Sequence, residues 1–440
     1  MADLSAELLE KIRRQFDTAP YPKIALDQSP KGDLKYLYPH DLAVPYYNRN
    51  QRVISSAGKV ILDAGCGSGY KALALAEANP GAKIVGVDLS DESVKLARER
   101  LKYHGFENAE FHTLTIEALP SLGLEFDYIN CDEVLYLLPD PVVGLQAMKA
   151  VLKSDGIIRA NFHHRLQRAH FHQAQEFFTR LGLMEQSPNE TELTAVREVM
   201  KALKSFVLVK ERTWRPEYEE NDDLLLANHL LRGDKGTTIP EFFSILRQAD
   251  LEFINMVNWW QWDLVELFED FSELPVEVAL TFADKSIEEQ LHLFALIHPC
   301  HRLLDLWCGH PGQSQPYTAV ENWTEEQWRK AKVHLYSQFK VPVFKQEMIN
   351  AIESSSFLEI SRYFHRTPEL INLDSLLTAC LLPLLDAPQS VATIAQRWKQ
   401  LRPLNLVTLQ PTTDAEAFEV IKQRLTELEQ KGYILLELAD

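Results

Sequence analysis

The sequence predicts an α/β fold: a doubly wound, mostly parallel sheet with a helical insertion, followed by a mainly helical, winged-helix-like C-terminal domain. Three observations predict it. Short strands rich in Val, Ile and Phe alternate with helical runs between residues 59 and 162. A glycine-rich turn joins the first strand to the first helix. After Phe162 the alternation gives way to helical spacing.

The chain opens on a run with helical spacing, Leu8, Leu9, Ile12 and Phe16, with Ser5 placed to cap it. A leader follows with Pro20, Pro22, Pro30, Pro39 and Pro45, and Tyr21, Tyr36, Tyr38, Tyr46 and Tyr47 between them. Proline forbids a long helix here. The leader either wraps the core and buries its rings, or acts as a lid with tyrosine hydroxyls facing a site. Residues 1–50 are thus an N-terminal helix and lid.

Residues 51–162 are the core. Strands are expected at 59–64, 83–88, 109–114, 126–131 and 156–162, and helices at 69–79, 91–104 and 142–153. Residues 163–236 form a helical insertion, with a short strand at 205–210. Residues 237–310 complete the sheet through a helix at 240–249, a strand at 251–257 and the apolar run 303–308. A polar, proline-bearing linker spans 309–324. Residues 325–440 give helices at 390–399 and 414–431 and a strand at 433–438.

The chain has 440 residues, enough for two or three domains. Its formal charge of −18 argues against a nucleic-acid binder. No apolar run is long enough to span a bilayer. Five cysteines and no recognisable signal peptide suggest a reduced, cytoplasmic protein. The oligomeric state is not legible.

The chemistry starts at Val60-Ile-Leu-Asp-Ala-Gly-Cys-Gly-Ser-Gly69. Glycine tolerates positive φ and close approach of a ligand, and the following helix offers free N–H groups. A nucleotide-like cofactor belongs at the end of such a strand. NAD favours G-x-G-x-x-G spacing; here it is G-x-G-x-G with Tyr70 next. Asp63 would repel a pyrophosphate but attract the ammonium of a methionine moiety. Asp88, closing Lys83-Ile-Val-Gly-Val-Asp88, can accept hydrogen bonds from two ribose hydroxyls, with Leu89 packing on the base.

These stretches, with Phe126-Asp-Tyr-Ile-Asn-Cys-Asp-Glu-Val-Leu135, resemble the first, second and fourth motifs of class I S-adenosylmethionine-dependent methyltransferases. The resemblance covers residues 50–162 and implies a Rossmann-like core that binds S-adenosyl-L-methionine. By that resemblance the cofactor-binding residues are Asp63, Ala64, Gly65, Cys66, Gly67, Gly69, Asp88, Leu89, Thr115, Ile116 and Cys131. Thr115 stands where the family often has an aspartate for the adenine amino group. A second resemblance rests on Phe16-Asp-Thr-Ala-Pro-Tyr-Pro22, Ile239-Pro-Glu-Phe-Phe243 with Leu251-Glu-Phe-Ile254, and Glu289-Gln-Leu-His-Leu-Phe294 followed by His301-Arg302. These are similar to bacterial protein lysine methyltransferases that carry a methyltransferase regulatory domain. They imply a protein substrate accepting at Lys, Asn or Gln. The alternatives are a small-molecule acceptor or a non-catalytic partner-binding protein of the same fold.

A nitrogen nucleophile must be aligned and deprotonated. Candidates at the strand ends are Asp132, Glu133, Asn161, His163 and His164, with Tyr21 from the lid. Each has a structural alternative as a capping or solvated side chain. Trp259, Trp260 and Trp262 either cage a cation or pack in the core. Cys300, His301, Cys308 and His310 lack the paired hooks of a compact zinc site, and no metal is expected.

Overall fold

A computed structural model of the chain describes residues 21–184, 189–363 and 370–438; the helix expected at 5–16 lies outside them. Five parallel strands follow the expected alternation: β1 (Val60–Ala64), β2 (Lys83–Asp88), β3 (Glu110–Thr113), β4 (Phe126–Cys131) and β5 (Leu152–His163). Helices Tyr70–Ala78, Asp91–Tyr103 and Pro141–Ala150 alternate with them. Two further strands, β6 (Glu252–Met256) and β7 (Leu303–Gly309), complete a seven-stranded sheet of order β3-β2-β1-β4-β5-β7-β6. β7 runs antiparallel to both neighbours. Strand order reverses between β1 and β4, and ligands of open α/β sheets bind beyond the strand ends at such a point.

The inner strands of the sheet are largely buried, so they read as near-continuous apolar runs. β7 is one of them. Its Leu304, Leu306, Trp307 and Cys308 are all buried, and it lies between β5 and β6.

Residues 163–236 are helical, with Ala169–Arg180, Glu190–Ala202, Leu208–Thr213 and Asp222–His229. The strand expected at 205–210 is not formed. Phe206 and Leu208 are exposed and Leu208 begins a helix, because no strand edge is at hand to pair with the segment. The insertion has a core of its own around Phe178, Val196, Met200 and Leu225.

Beyond residue 324 the chain is not helical throughout. β8 (Ala331–Leu335) is the centre of a three-stranded antiparallel sheet between β11 (Gln389–Ser390) and β12 (Ile434–Leu438). A two-stranded ribbon pairs β9 (Leu358–Glu359) with β10 (Asn372–Leu373). Helices Val391–Leu401 and Asp414–Gln430 pack on the three-stranded sheet, in helix–helix–strand order.

The leader ties these parts together. Tyr46 donates its hydroxyl to Asp127 O (3.1 Å). Tyr47 donates to Glu429 Oε1 (2.8 Å) and accepts from the Leu436 N–H (3.0 Å). Tyr38 packs edge-on against Trp260 and Tyr336. The wrapping reading of these three rings therefore holds, and they are not lid residues. Among the described residues no helix is long and apolar enough to cross a membrane.

Candidate active site

The glycine turn is built by backbone hydrogen bonds. Gly65 and Cys66 donate to Val87 O (2.8 and 2.9 Å), tying the end of β1 to β2. Asp88 accepts from the Gly67 N–H (2.9 Å) and the Ser90 N–H (3.0 Å), which fixes its carboxylate beside the turn. The glycines serve different contacts. At Gly67, φ is +47° and an added Cβ would sit 2.2 Å from Tyr21 O. At Gly69 an added Cβ would meet Ala97 Cα at 2.5 Å, so this glycine allows helix Asp91–Tyr103 to pack closely.

A cavity of about 630 Å³ opens at this turn. Of the expected cofactor residues, Gly65, Cys66, Gly67, Asp88, Leu89, Thr115 and Ile116 line it. Asp63, Ala64, Gly69 and Cys131 stand behind that lining. Asp63 is buried, with Oδ1 accepting from Asn130 Nδ2 (2.8 Å) and Oδ2 without a hydrogen-bond partner. Burial pushes its carboxyl up to about 6, against the pull of the Asn130 bond.

Among the acceptor-side candidates, Tyr21, Asp132, Glu133 and His163 line the cavity. Asn161 and His164 do not. Asn161 is buried as a clamp: Oδ1 accepts from the Glu133 N–H (2.8 Å) and Nδ2 donates to Asp132. The His164 ring packs near Trp262, and its Nδ1 meets His301 O at 3.1 Å. Side chains alternate along a strand, so only one of two adjacent histidines can face the cavity.

The two carboxylates are neutralised by cations that sequence reading missed. Lys71 Nζ lies 2.8 Å from Asp132 Oδ2 and 3.5 Å from Glu133 Oε2. Arg302 pairs with Glu133, and Arg159 approaches Asp132 at 3.8 Å. Burial opposes ionisation of Asp132, but Lys71 and Arg159 outweigh it and hold the carboxyl well below its usual range. Glu133 is held low by Lys71 and Arg302 in the same way. Both are fixed anions that hold a proton poorly.

His163 is locked. Its Nδ1 lies 2.6 Å from Asp234 Oδ1, and Arg302 Nη1 lies 3.3 Å from its Nε2. A guanidinium can only donate, so Nε2 accepts and the proton sits on Nδ1, facing Asp234. Asp234 is held in turn by Arg168 (3.0 Å) and Gln175 (3.1 Å). Burial lowers the affinity of His163 for a second proton, although Asp234 opposes this. The ring stacks on Tyr136 at 3.8 Å between centroids.

The leader closes one side of the cavity as a strap. Tyr21 O accepts from the Ser68 N–H (2.9 Å), and Ser68 Oγ donates to Pro22 O (2.8 Å). Arg100 is fully buried and donates to Ser68 O, Ala25 O and Ile24 O at 2.9, 2.8 and 2.7 Å. Its helical spacing gave no hint of this role. The opposite wall is the insertion, through Phe171, Glu217, Tyr218, Asp223 and Asn228.

The tryptophans stay outside the cavity lining. Trp262 stacks on His301 (4.3 Å) and lies against Phe294, and Trp260 lies against Tyr38. The core-packing reading of this cluster fits and the cation cage does not. His301 meets Gln261 O and His310 meets Leu152 O, while Cys308 lies buried in β7.

A family model described as a methyltransferase domain matches residues 55–221. An uncharacterized protein of Synechococcus sp. is 30% identical over 176 residues, covering 40% of this chain and 42% of that protein. A ubiquinone biosynthesis O-methyltransferase of Actinobacillus pleuropneumoniae is 36% identical over 106 residues, covering 23% of this chain and 44% of that enzyme. The chain thus spans less than half the length of these curated relatives. Among solved structures, PKMT2 from Rickettsia typhi in complex with AdoHcy superposes with a TM-score of 0.60 at 17% identity. That match covers 96% of this chain and 78% of PKMT2, and it shows a shared fold.

Proposed function

We propose that this chain, which carries a class I S-adenosylmethionine-dependent methyltransferase domain, transfers a methyl group to a protein side-chain nitrogen. One observation carries the choice of acceptor. The cavity wall opposite the glycine turn is made by the insertion and presents aromatic rings beside carboxylates, Phe171 and Tyr218 with Glu217 and Asp223. Such a wall suits a slender cationic side chain such as that of lysine. The superposition on PKMT2 across 96% of this chain is consistent with it at the level of fold.

The residues present fit the cofactor. Asp63 Oδ2 is a buried acceptor without a partner, and Gly67 leaves no room for a side chain beside the turn. Asp88 would hold the ribose hydroxyls, and Leu89 and Ile116 would flank the adenine beside Thr115. When bound, the cofactor supplies a methyl carbon activated by a sulfonium centre. The protein's part is alignment and exclusion of water. The amine would give up its proton to bulk solvent before it enters, and the cavity would hold its nitrogen lone pair in line with that carbon, the neutral thioether being the leaving group. The proton carried by the methylated product would pass to solvent on release. Lys71 and Arg302 keep Asp132 and Glu133 from taking that proton, and so hold the wall in one charge state.

Calorimetric titration with S-adenosylmethionine tests the cofactor half: no binding at millimolar concentration would overturn it. Incubation with methyl-labelled cofactor and proteins of the same cell tests the acceptor half, and label is expected in protein. Label confined to small molecules would favour an O-methyltransferase-like acceptor, in line with the ubiquinone-pathway relatives. Tight binding without any transfer would favour a non-catalytic protein.

A further inference from the structure

Three tyrosines line the cavity from three separate elements. Tyr21 comes from the strap, Tyr136 from the turn after β4, and Tyr218 from the insertion. The hydroxyls of Tyr46 and Tyr47, by contrast, are tied into the fold. Among the described residues, none of these three has a hydrogen-bond partner for its hydroxyl. Arg302 lines the same cavity, and its charge acts on all three.

From this we infer that Tyr21, Tyr136 and Tyr218 form the binding site for the acceptor nitrogen, their hydroxyl oxygens taking its N–H groups. The inference rests on the methyl-transfer reading and deepens it. A neutral amine about to react has two N–H donors and one lone pair. The lone pair must point at the methyl carbon, so both N–H groups need acceptors elsewhere. Hydroxyl oxygens supply them without charge. The two carboxylates at the end of β4 are engaged, Asp132 with Lys71 and Glu133 with Arg302.

The three hydroxyls also stay protonated. Burial raises each of them above the ordinary tyrosine value, with Glu133 adding to the effect at Tyr21 and Tyr136. They accept hydrogen bonds and do not take the proton. Tyr136 is the best held of the three. Its ring stacks on His163, which Asp234 and Arg302 lock from either side.

Sinefungin tests this without a known substrate. It replaces the sulfonium sulfur by carbon and the methyl by an amine, and so presents N–H donors at the place where methyl and acceptor meet. AdoHcy lacks that group. The full-length protein and the variants Tyr21→Phe, Tyr136→Phe and Tyr218→Phe are titrated calorimetrically with both compounds. The wild type is expected to prefer sinefungin. In Tyr136→Phe the preference should fall about tenfold, the worth of one hydrogen bond to a charged group, while AdoHcy affinity is unchanged. Equal preference in the wild type and all three variants would overturn the inference alone. Absence of AdoHcy binding to the wild type would overturn the methyl-transfer reading with it.

Discussion

Single side chains decide whether the turn can work. Gly67 has φ of +47° and the carbonyl of Tyr21 where a Cβ would stand. A Gly67→Ala variant must shift the strap or the turn, and strain of this kind costs about 1–3 kcal/mol. Its affinity for AdoHcy should fall about tenfold or more by calorimetry. Asp63 gives a pH test. Burial raises its pKa from 3.8 to about 6. A raised carboxyl contributes stability that is fully present below the unfolded value and is lost as pH rises through the folded value. The ligand-free wild type therefore loses on the order of 3 kcal/mol from this group between about pH 4 and pH 7. Asp63→Asn cannot lose it, so its melting temperature should gain on the wild type as pH rises across that window. A constant gap between the two proteins would refute the assignment. Asp63, Gly67 and Asp88 were legible in sequence because spacing along one continuous strand–turn–helix–strand stretch places them. Lys71, Arg302 and Asp234 were not. Their partners lie 62, 169 and 71 positions away, and no local pattern reports such pairs.

At the scale of elements, local periodicity found β1 to β5 and the helices between them, since each strand is short and bounded by turns. It was weakest in two physical situations. β7 is largely buried, so its run Leu303–Gly309, which was expected to complete the sheet and does, has no period of two to set its bounds. The segment 205–210 has strand-like composition but no neighbour to pair with, and its backbone closes into a helical turn instead. The strap shows a third limit. Nothing in residues 21–26 has regular structure; Arg100 shapes the segment from another helix. Arg100→Ala removes three hydrogen bonds from a charged donor and leaves three carbonyls to find other partners. Amide hydrogen exchange should show protection falling across 21–28 and at Ser68, while β1, β2 and β4 keep theirs. Unchanged exchange in 21–28 would mean that the strap is held by something other than Arg100.

At the scale of the whole molecule, the question is whether the C-terminal region is an appendage or part of the catalytic body. Composition suggested a helical module behind a linker. The structure joins it to the core through one continuous apolar cluster, in which Tyr38, Tyr46, Leu73 and Ile157 share neighbours with Val333, Phe339, Leu425 and Tyr433. Hydrogen bonds reinforce the joint: Gln338 Nε2 donates to Asp41 (2.7 Å), and the Val53 N–H donates to Glu437 (2.9 Å). The tyrosines of the leader are the hinge pins of this contact, which is why the leader is tyrosine-rich although one of the five lines the cavity. Packing of this kind couples the two regions in unfolding. Calorimetry should therefore show one cooperative transition. Tyr47→Phe leaves the Leu436 N–H and the Glu429 carboxylate without their shared partner and should lower stability by about 1–3 kcal/mol. Because the same leader continues into the strap, that loss should reach the site: AdoHcy affinity near the melting temperature should fall more steeply in Tyr47→Phe than in the wild type. Two separate transitions, with only the later one moved by Tyr47→Phe, would show instead that the C-terminal region folds on its own and that the leader does not transmit between them.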